Sequence, residues 1–167
     1  MDTSARFLDT CASVCAPVAI ATSMWSDRPH GTTVSAFMSL SLTPPLVALA
    51  LDQRSALLRT LRRSGRVGIN ILTADQERLA RVFARTDVDR FTGVAWTEDN
   101  ALPRLVGQGG WIACQVVDIV QGGDHLVVVG HVLHAVPASV SPLVYHNRTF
   151  GTAIPLPTLN PFVSAFP

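Results

Sequence analysis

The sequence predicts a mainly β fold in a single domain: a β-barrel with peripheral helices. Three observations carry that expectation. Apolar runs of strand length outnumber the helical patterns and are not spaced as repeated strand–helix–strand units. Two long strand patterns, "WIACQVVDIVQ" and "HLVVVGHVLHAV", are joined by "GGD", a hairpin signal. No G-x-G-x-x-G follows a strand, which argues against a doubly wound nucleotide-binding sheet.

The elements follow in chain order. "TSARFLDTCASV" places Phe7, Leu8 and Cys11 at helical spacing after a Ser/Thr cap, and Pro17 ends that helix. "PVAIATSM" reads as a buried strand, "WSDRPHG" as turn residues, and "TTVSAFMSLSL" as a strand that becomes irregular. "TPP" forces an extended corner. "LVALAL" is continuously apolar and too short for a helix, so it is another core strand. "SALLRTLRRSG" is the clearest helix: Ser55 caps it, Leu57, Leu58 and Leu61 form the buried stripe, and Gly65 ends it. "RVGINIL" returns as a strand. "TADQERLARVFAR" opens with a capping box from Thr73 to Gln76 and buries Leu79, Val82 and Phe83. "TDVDRF" and "TEDNALPRL" read as loop, and the tail "IPLPTLNPFVSAFP", with four prolines, cannot be regular.

Length and composition bound the function. The chain of 167 residues fits one domain with its own core. Apolar residues reach 48% and charged residues only 15%, so part of the surface is expected to be covered by a second copy. A net charge of +1 gives no hint of nucleic acid or an acidic membrane. All thirteen basic residues are arginine, which excludes a P-loop and leaves any side-chain cation for an anion to arginine. Cys11, Cys15 and Cys114 are too sparse for a disulfide framework and read as small apolar fillers. The start lacks a signal-peptide pattern and the apolar runs stop short of a membrane span, so a cytoplasmic globular protein is expected.

Three of the five histidines fall within "GGDHLVVVGHVLHAV". Alternation along a strand puts His125 and His131 on one face, about 20 Å apart, and His134 on the other. No single ion reaches two of them, and neither H-E-x-x-H nor C-x-x-C is present, so no metal site is expected. His131 and His134 read as partly buried strand residues. His125 directly follows the tight "GGD" turn at the sheet rim, where Gly122 and Gly123 allow a ligand close approach and Asp124 can orient its neighbour. It is either a surface histidine or a functional one.

The run "TTVSAFMSLS" sets Thr33, Ser35, Ser39 and Ser41 among small and apolar residues. Those hydroxyls either face solvent or line a wall for a flat polar ligand edge or a phosphate. The unpaired N–H groups that open the following helix attract anions, although Ser55 as a plain cap accounts for the same residue.

Five stretches in order, "TTVSAFMSLSLTPPLVALALDQRSALL", "GRVGINILTADQERLARVFA", "DRFTGV", "GDHLVVVGHV" and "PLVYH", resemble the flavin reductase-like family, the short-chain reductases that supply reduced flavin to two-component monooxygenases. The resemblance runs from about Arg6 to Gly151. It implies an FMN-binding split β-barrel domain over residues 1–153 and a homodimer with flavin near the subunit interface; the proline-rich tail over 154–167 has no firm family counterpart. By that analogy Thr33, Ser35, Ala36 and Ser39, with Ser41 in the same run, lie along the flavin ring and ribityl chain. Asp52 and Ser55 meet the flavin next, and Phe83, Ala84 and Arg90 fall at the phosphate end. His125 matches the histidine of the family's Gly-Asp-His and is implied as the catalytic residue beside the nicotinamide. Tyr145, His146 and Arg148 match the nicotinamide-nucleotide contacts, but "YHNRTFG" departs from the glycine-containing, arginine-rich turn of many relatives. The implied cofactors are FMN or FAD and NADH or NADPH, and the implied partner is a flavin-dependent monooxygenase component, with no nucleic acid and no membrane. Two rivals remain: a flavin- or haem-binding barrel that does not turn over nicotinamide, and a pyridoxine-phosphate-oxidase-like enzyme, which needs basic side chains where the sequence around His125 offers none.

Overall fold

The structure, a computed structural model, describes residues 2–156. The elements are α1 (Thr3–Ala12), β1 (Ala16–Pro17), β2 (Ala19–Trp25), β3 (Arg28–Val34), β4 (Phe37–Leu42), β5 (Pro45–Asp52), α2 (Ala56–Ser64), β6 (Arg66–Ile71), α3 (Glu77–Ala84), β7 (Trp96–Asp99), β8 (Leu102–Leu105), β9 (Gly110–Gly122), β10 (His125–Val136), β11 (Leu143–His146) and β12 (Thr149–Thr152). Seven strands form one antiparallel sheet in the order β3-β2-β6-β9-β10-β5-β4.

That order dictates closure. The two edge strands, β3 and β4, are consecutive in the chain and joined by Ser35 and Ala36 alone. Laid flat, the edges would stand roughly 29 Å apart at about 4.8 Å per strand spacing. A two-residue link spans only about 11 Å. The sheet therefore curls until its edges meet, and the Ala50 N–H, donating to the Ala36 carbonyl at 2.9 Å, carries the β4–β5 ladder into the link.

Inward residues of the sheet, among them Ala19, Ala21, Leu49, Ile69, Cys114 and Val128, form the principal core with Leu57, Leu58 and Leu61 of α2. Gly65, at φ 67°, ends α2 as the sequence predicts. Ser55 occupies the N-cap position, but its side chain makes no capping hydrogen bond. Outside the barrel, α3 and β11 cover Val18, which precedes β2, and Ile20 of β2. The β7–β8 hairpin covers Trp111 and Ala113 through Leu102. Buried Asn70 ties that hairpin down: its Oδ1 accepts from the Leu105 N–H at 2.8 Å, and its Nδ2 donates to the Ile20 carbonyl at 3.2 Å.

Several expectations are corrected. "WSDRPHG" is mostly strand, with a two-residue turn at Ser26 and Asp27, and "TTVSAFMSLSL" is two strands broken at the seam. "TPP", with a cis Thr43–Pro44 bond, is a hairpin turn between β4 and β5. "TEDNALPRL" is not loop but the β7–β8 hairpin. The helix α3 begins at Glu77; Gln76 accepts from the Thr73 N–H at 3.0 Å, while the Thr73 hydroxyl turns to Asp75. Phe83 is buried, whereas Leu79 and Val82 are only partly so. The α1 helix forms, but it ends at Ala12, before Pro17, and buries nothing: Phe7 and Leu8 are exposed. Cys114 fills the core, with its thiol pushed up to about 12 by burial, while Cys11 and Cys15 are exposed and not fillers. Residues 157–167 of the tail lie outside the described residues.

Candidate active site

The seam opens into a cavity of about 720 Å³. One wall is the end of β3 and the link, Thr32 to Ala36; the other is the end of β5, Ala50 to Asp52. The turn into α2 adds Arg54, Ser55 and Ala56. The segment after α3 adds Ala84, Thr86 and Arg90, and His125 stands at the rim. Barrel closure is what assembles these residues, since four separate stretches of chain meet only there.

His125 begins β10, pairing with Gly122 on one side and Asp52 on the other. Its Nδ1 lies 2.8 Å from Asp124 Oδ1, and that bond is the main cause holding the Asp124 carboxyl below its usual range. An ionised carboxylate only accepts, so Nδ1 donates to Asp124 and Nε2 is the ring nitrogen left for a ligand. The ring is 46% exposed and free to meet a ligand.

Asp52 is committed elsewhere. Arg54 donates to it from Nε at 3.1 Å, from Nη2 at 2.8 Å and from its backbone N–H at 2.7 Å, and these bonds hold the carboxyl well below the usual range. The neighbouring N–H groups are also spent: Gln53 on the Asp124 carbonyl and Ser55 on the Asp52 carbonyl. Donors for an anion at this end are therefore the uncapped first turn of α2 and the Arg54 side chain. Arg90 is half-buried and donates to the carbonyls of Gly31 and Arg85, and burial lowers its pKa.

The structure brings Thr33, Ser35, Ala36, Asp52, Ser55, Ala84, Arg90 and His125 to this one cavity. The Thr33 hydroxyl donates to the Ala80 carbonyl at 2.6 Å, so only its lone pairs face outward. Ser39 and Ser41 do not line the cavity; they sit farther along β4, on either side of a register shift. Phe83 is corrected outright: it is fully buried, edge-on to Phe91, and out of a ligand's reach. Tyr145 and Arg148 line an adjoining cavity of about 490 Å³, which shares Thr33, Ser35 and Ala84 with the first. Arg148 also pairs with Asp9 of α1 at 2.6 Å. His146 is exposed and lines neither cavity.

Sequence reasoning missed Arg54 and Thr86 in the first cavity and Arg81 and Arg85 in the second. With Arg54 and Arg90 lining the same cavity as His125, the expectation that its surroundings offer no basic side chain is also corrected. On the long hairpin, a bulge at Leu133 sets His134 opposite Ala113 while His131 faces Gln115, so the two histidines share the outer face. No group of three or more His, Cys, Asp or Glu that could hold a metal ion occurs among the described residues. None of their helices is long and apolar enough to cross a membrane.

A curled antiparallel barrel with a polar, arginine-flanked groove at its seam defines a small-ligand split barrel. Residues 11–153 match the model of the flavin reductase like domain. The chain is 34% identical over 151 residues to the reductase component of a 4-nitrophenol 4-monooxygenase/4-nitrocatechol 2-monooxygenase from Rhodococcus opacus, covering 90% of this chain and 82% of that one. Among solved structures, it superposes on the flavin reductase PheA2 with a TM-score of 0.84 at 30% identity, over 93% of this chain and all of that one. It also superposes on the Streptomyces globisporus NADH:FAD oxidoreductase SgcE6, in complex with NAD and FAD fragments, with a TM-score of 0.86 at 26% identity, over 92% and 94% of the two chains. The chain belongs to the flavin reductase-like family, and it is an oxidoreductase.

Proposed function

We propose that this chain, as a homodimer, takes a hydride from NADH or NADPH, passes it to FMN or FAD, and releases the reduced flavin to a partner monooxygenase. The observation that carries the reading is the convergence of His125, Ser55, Arg90 and the Thr33–Ala36 segment on one groove. At about 720 Å³ the groove falls in the range of small-molecule sites, roughly 300–1,000 Å³. Ala36, Ala50 and Leu51 offer apolar contact for a ring system. Arg54 and the first turn of α2 offer cations and N–H groups to an anionic tail, so the residues present fit a flavin nucleotide.

When bound, the two nucleotides supply the hydride chemistry, from nicotinamide C4 to flavin N5, and the chain supplies position and electrostatics. Asp124 fixes the His125 ring, which would hydrogen-bond the carboxamide or ring edge of a bound nicotinamide and so help to position it. Tyr145 and Arg148, in the adjoining cavity, seat the rest of the nicotinamide nucleotide. Nothing here calls for a nucleophile.

The test is stopped-flow flavin reduction with FMN, FAD and riboflavin, each against NADH and NADPH. His125→Ala should lower the rate of reduction by about ten- to a hundredfold with an unchanged melting temperature. A wild-type rate in that variant would remove His125 from the mechanism. No nicotinamide oxidation with any flavin would overturn the proposal as a whole.

A further inference from the structure

We infer that the flavin this chain binds best is FAD, and that its adenosine half enters a recess beside Arg90, lined by His30, Val88 and Phe91. The inference deepens the proposed function and rests on its placement of the flavin ring and anionic tail in the seam cavity. The recess, of about 250 Å³, continues that cavity, and Ala56, Thr86 and Arg90 line both. Ala56 and Thr86 are exposed, and Arg90 is held to the carbonyls of Gly31 and Arg85. The shared edge is therefore two small side chains and a tethered guanidinium.

Size and position both point to part of a larger ligand. Whole small-molecule sites begin at roughly 300 Å³. A recess just below that size, opening from a larger cavity, suits one end of a molecule whose other end fills the cavity. Ala56 at the junction is the first residue of α2, where the anionic tail of a flavin nucleotide is seated. Riboflavin ends short of that point and FMN ends at it. FAD carries a second phosphate and an adenosine past it.

The recess also has the chemistry for a purine. Pro29 and Phe91, both partly buried, and exposed Val88 give apolar surface to a flat ring. His30 supplies the polar contact. Its ring is half-buried and makes no hydrogen bond among the described residues. Burial, then Arg59, Arg28 and Arg90, lower its pKa against the opposing pull of Asp89. The ring is therefore uncharged at neutral pH and offers one N–H and one lone pair. The adenine edge carries the matching pair, an N7 acceptor beside an N6 amino donor. Asp89, the acidic residue of the lining, has its carboxylate engaged by the Phe91 N–H and the Thr92 hydroxyl, each at 3.0 Å.

Titration calorimetry on the full chain with FAD, FMN and riboflavin tests the assignment. FAD should bind about tenfold more tightly than FMN. His30→Ala, which removes the polar contact, and Val88→Trp, which fills the recess from its rim, should each cut that ratio severalfold. Val88 is exposed, so its replacement keeps the test open if His30→Ala does not fold. Equal affinity of the parent chain for FAD and FMN would overturn the inference, and so would a ratio that neither substitution moves. Either result leaves the reductase reading intact, since that reading is decided by nicotinamide oxidation with any of the three flavins. Tighter binding of FAD without nicotinamide oxidation would sink the reductase reading and leave the recess assignment standing.

Discussion

His30 sits half-buried on β3, close to the carbonyl of Gly31 that Arg90 binds. Burial is the largest cause lowering its pKa, followed by Arg59, Arg28 and Arg90, with Asp89 the one group pulling the other way. A depressed histidine pKa means that the unfolded chain binds the extra proton first as pH falls. Stability is then unaffected by this group above about pH 6.5 and declines as pH drops through the lowered folded value. Melting temperature measured from pH 8 to pH 5 should therefore fall less steeply in His30→Gln than in the parent chain. If the two curves have the same slope, His30 is not the group responsible. Asp124 gives a second residue-scale expectation. Asp124→Ala removes the carboxylate that His125 Nδ1 binds and should slow flavin reduction severalfold while leaving nicotinamide KM nearly unchanged, read by steady-state kinetics. Asp124→Asn, whose amide oxygen can still accept, should recover part of that loss.

At the scale of elements, the β7–β8 hairpin hangs on Asn70, which is fully buried. Asn70→Ala orphans the Leu105 N–H, at about 1–3 kcal/mol for a buried group left unpaired. Urea unfolding should show that loss, and an unchanged midpoint would mean the hairpin is held by packing alone. Gly68 is a tighter constraint, because a Cβ there would stand 2.3 Å from the Trp111 ring. Gly68→Ala should cost about 1–3 kcal/mol in the same assay. The strands, α1 and α2 were legible in the sequence because their apolar periods are clean. The hairpins at Asn100–Ala101 and Asn147–Arg148, and the turn at Ser26–Asp27, were not. All three turns place two successive residues at positive φ without a glycine, so the usual Asn-Gly or Asp-Gly signal is missing. The facing of His134 and the placing of Ser39 and Ser41 were lost to bulges, which an alternation count cannot see. The family's motifs located His125, Asp52 and the Thr33–Ala36 segment. Thr86 was invisible because only closure of the barrel brings it beside those residues, whereas Arg54, between Asp52 and Ser55 in the chain, was passed over although its neighbours were singled out.

Taken whole, the barrel leaves an apolar outer face next to its groove. Met38, Val120 and Val127 lie across β4, β9 and β10; Met38 and Val120 are exposed, and Val127 is partly so. The shallow groove under Met38 shares Ser35, Ala36 and Ala50 with the seam cavity. A second copy on this face would bury that surface and stand beside the site. Sedimentation velocity should give a dimer, and Met38→Arg should shift it to monomer and weaken flavin turnover together; a monomeric parent chain would contradict this. The seam has a separate consequence. The first and last strands of the sheet are joined there by the two-residue link, so a transient gap opens at this line more readily than along the continuous ladders. A bound nucleotide touching both lips acts as an extra rung. Its effect on amide exchange is then local: slower for β3 and the start of β4, and unaltered for β6 and β9 on the far side of the ring.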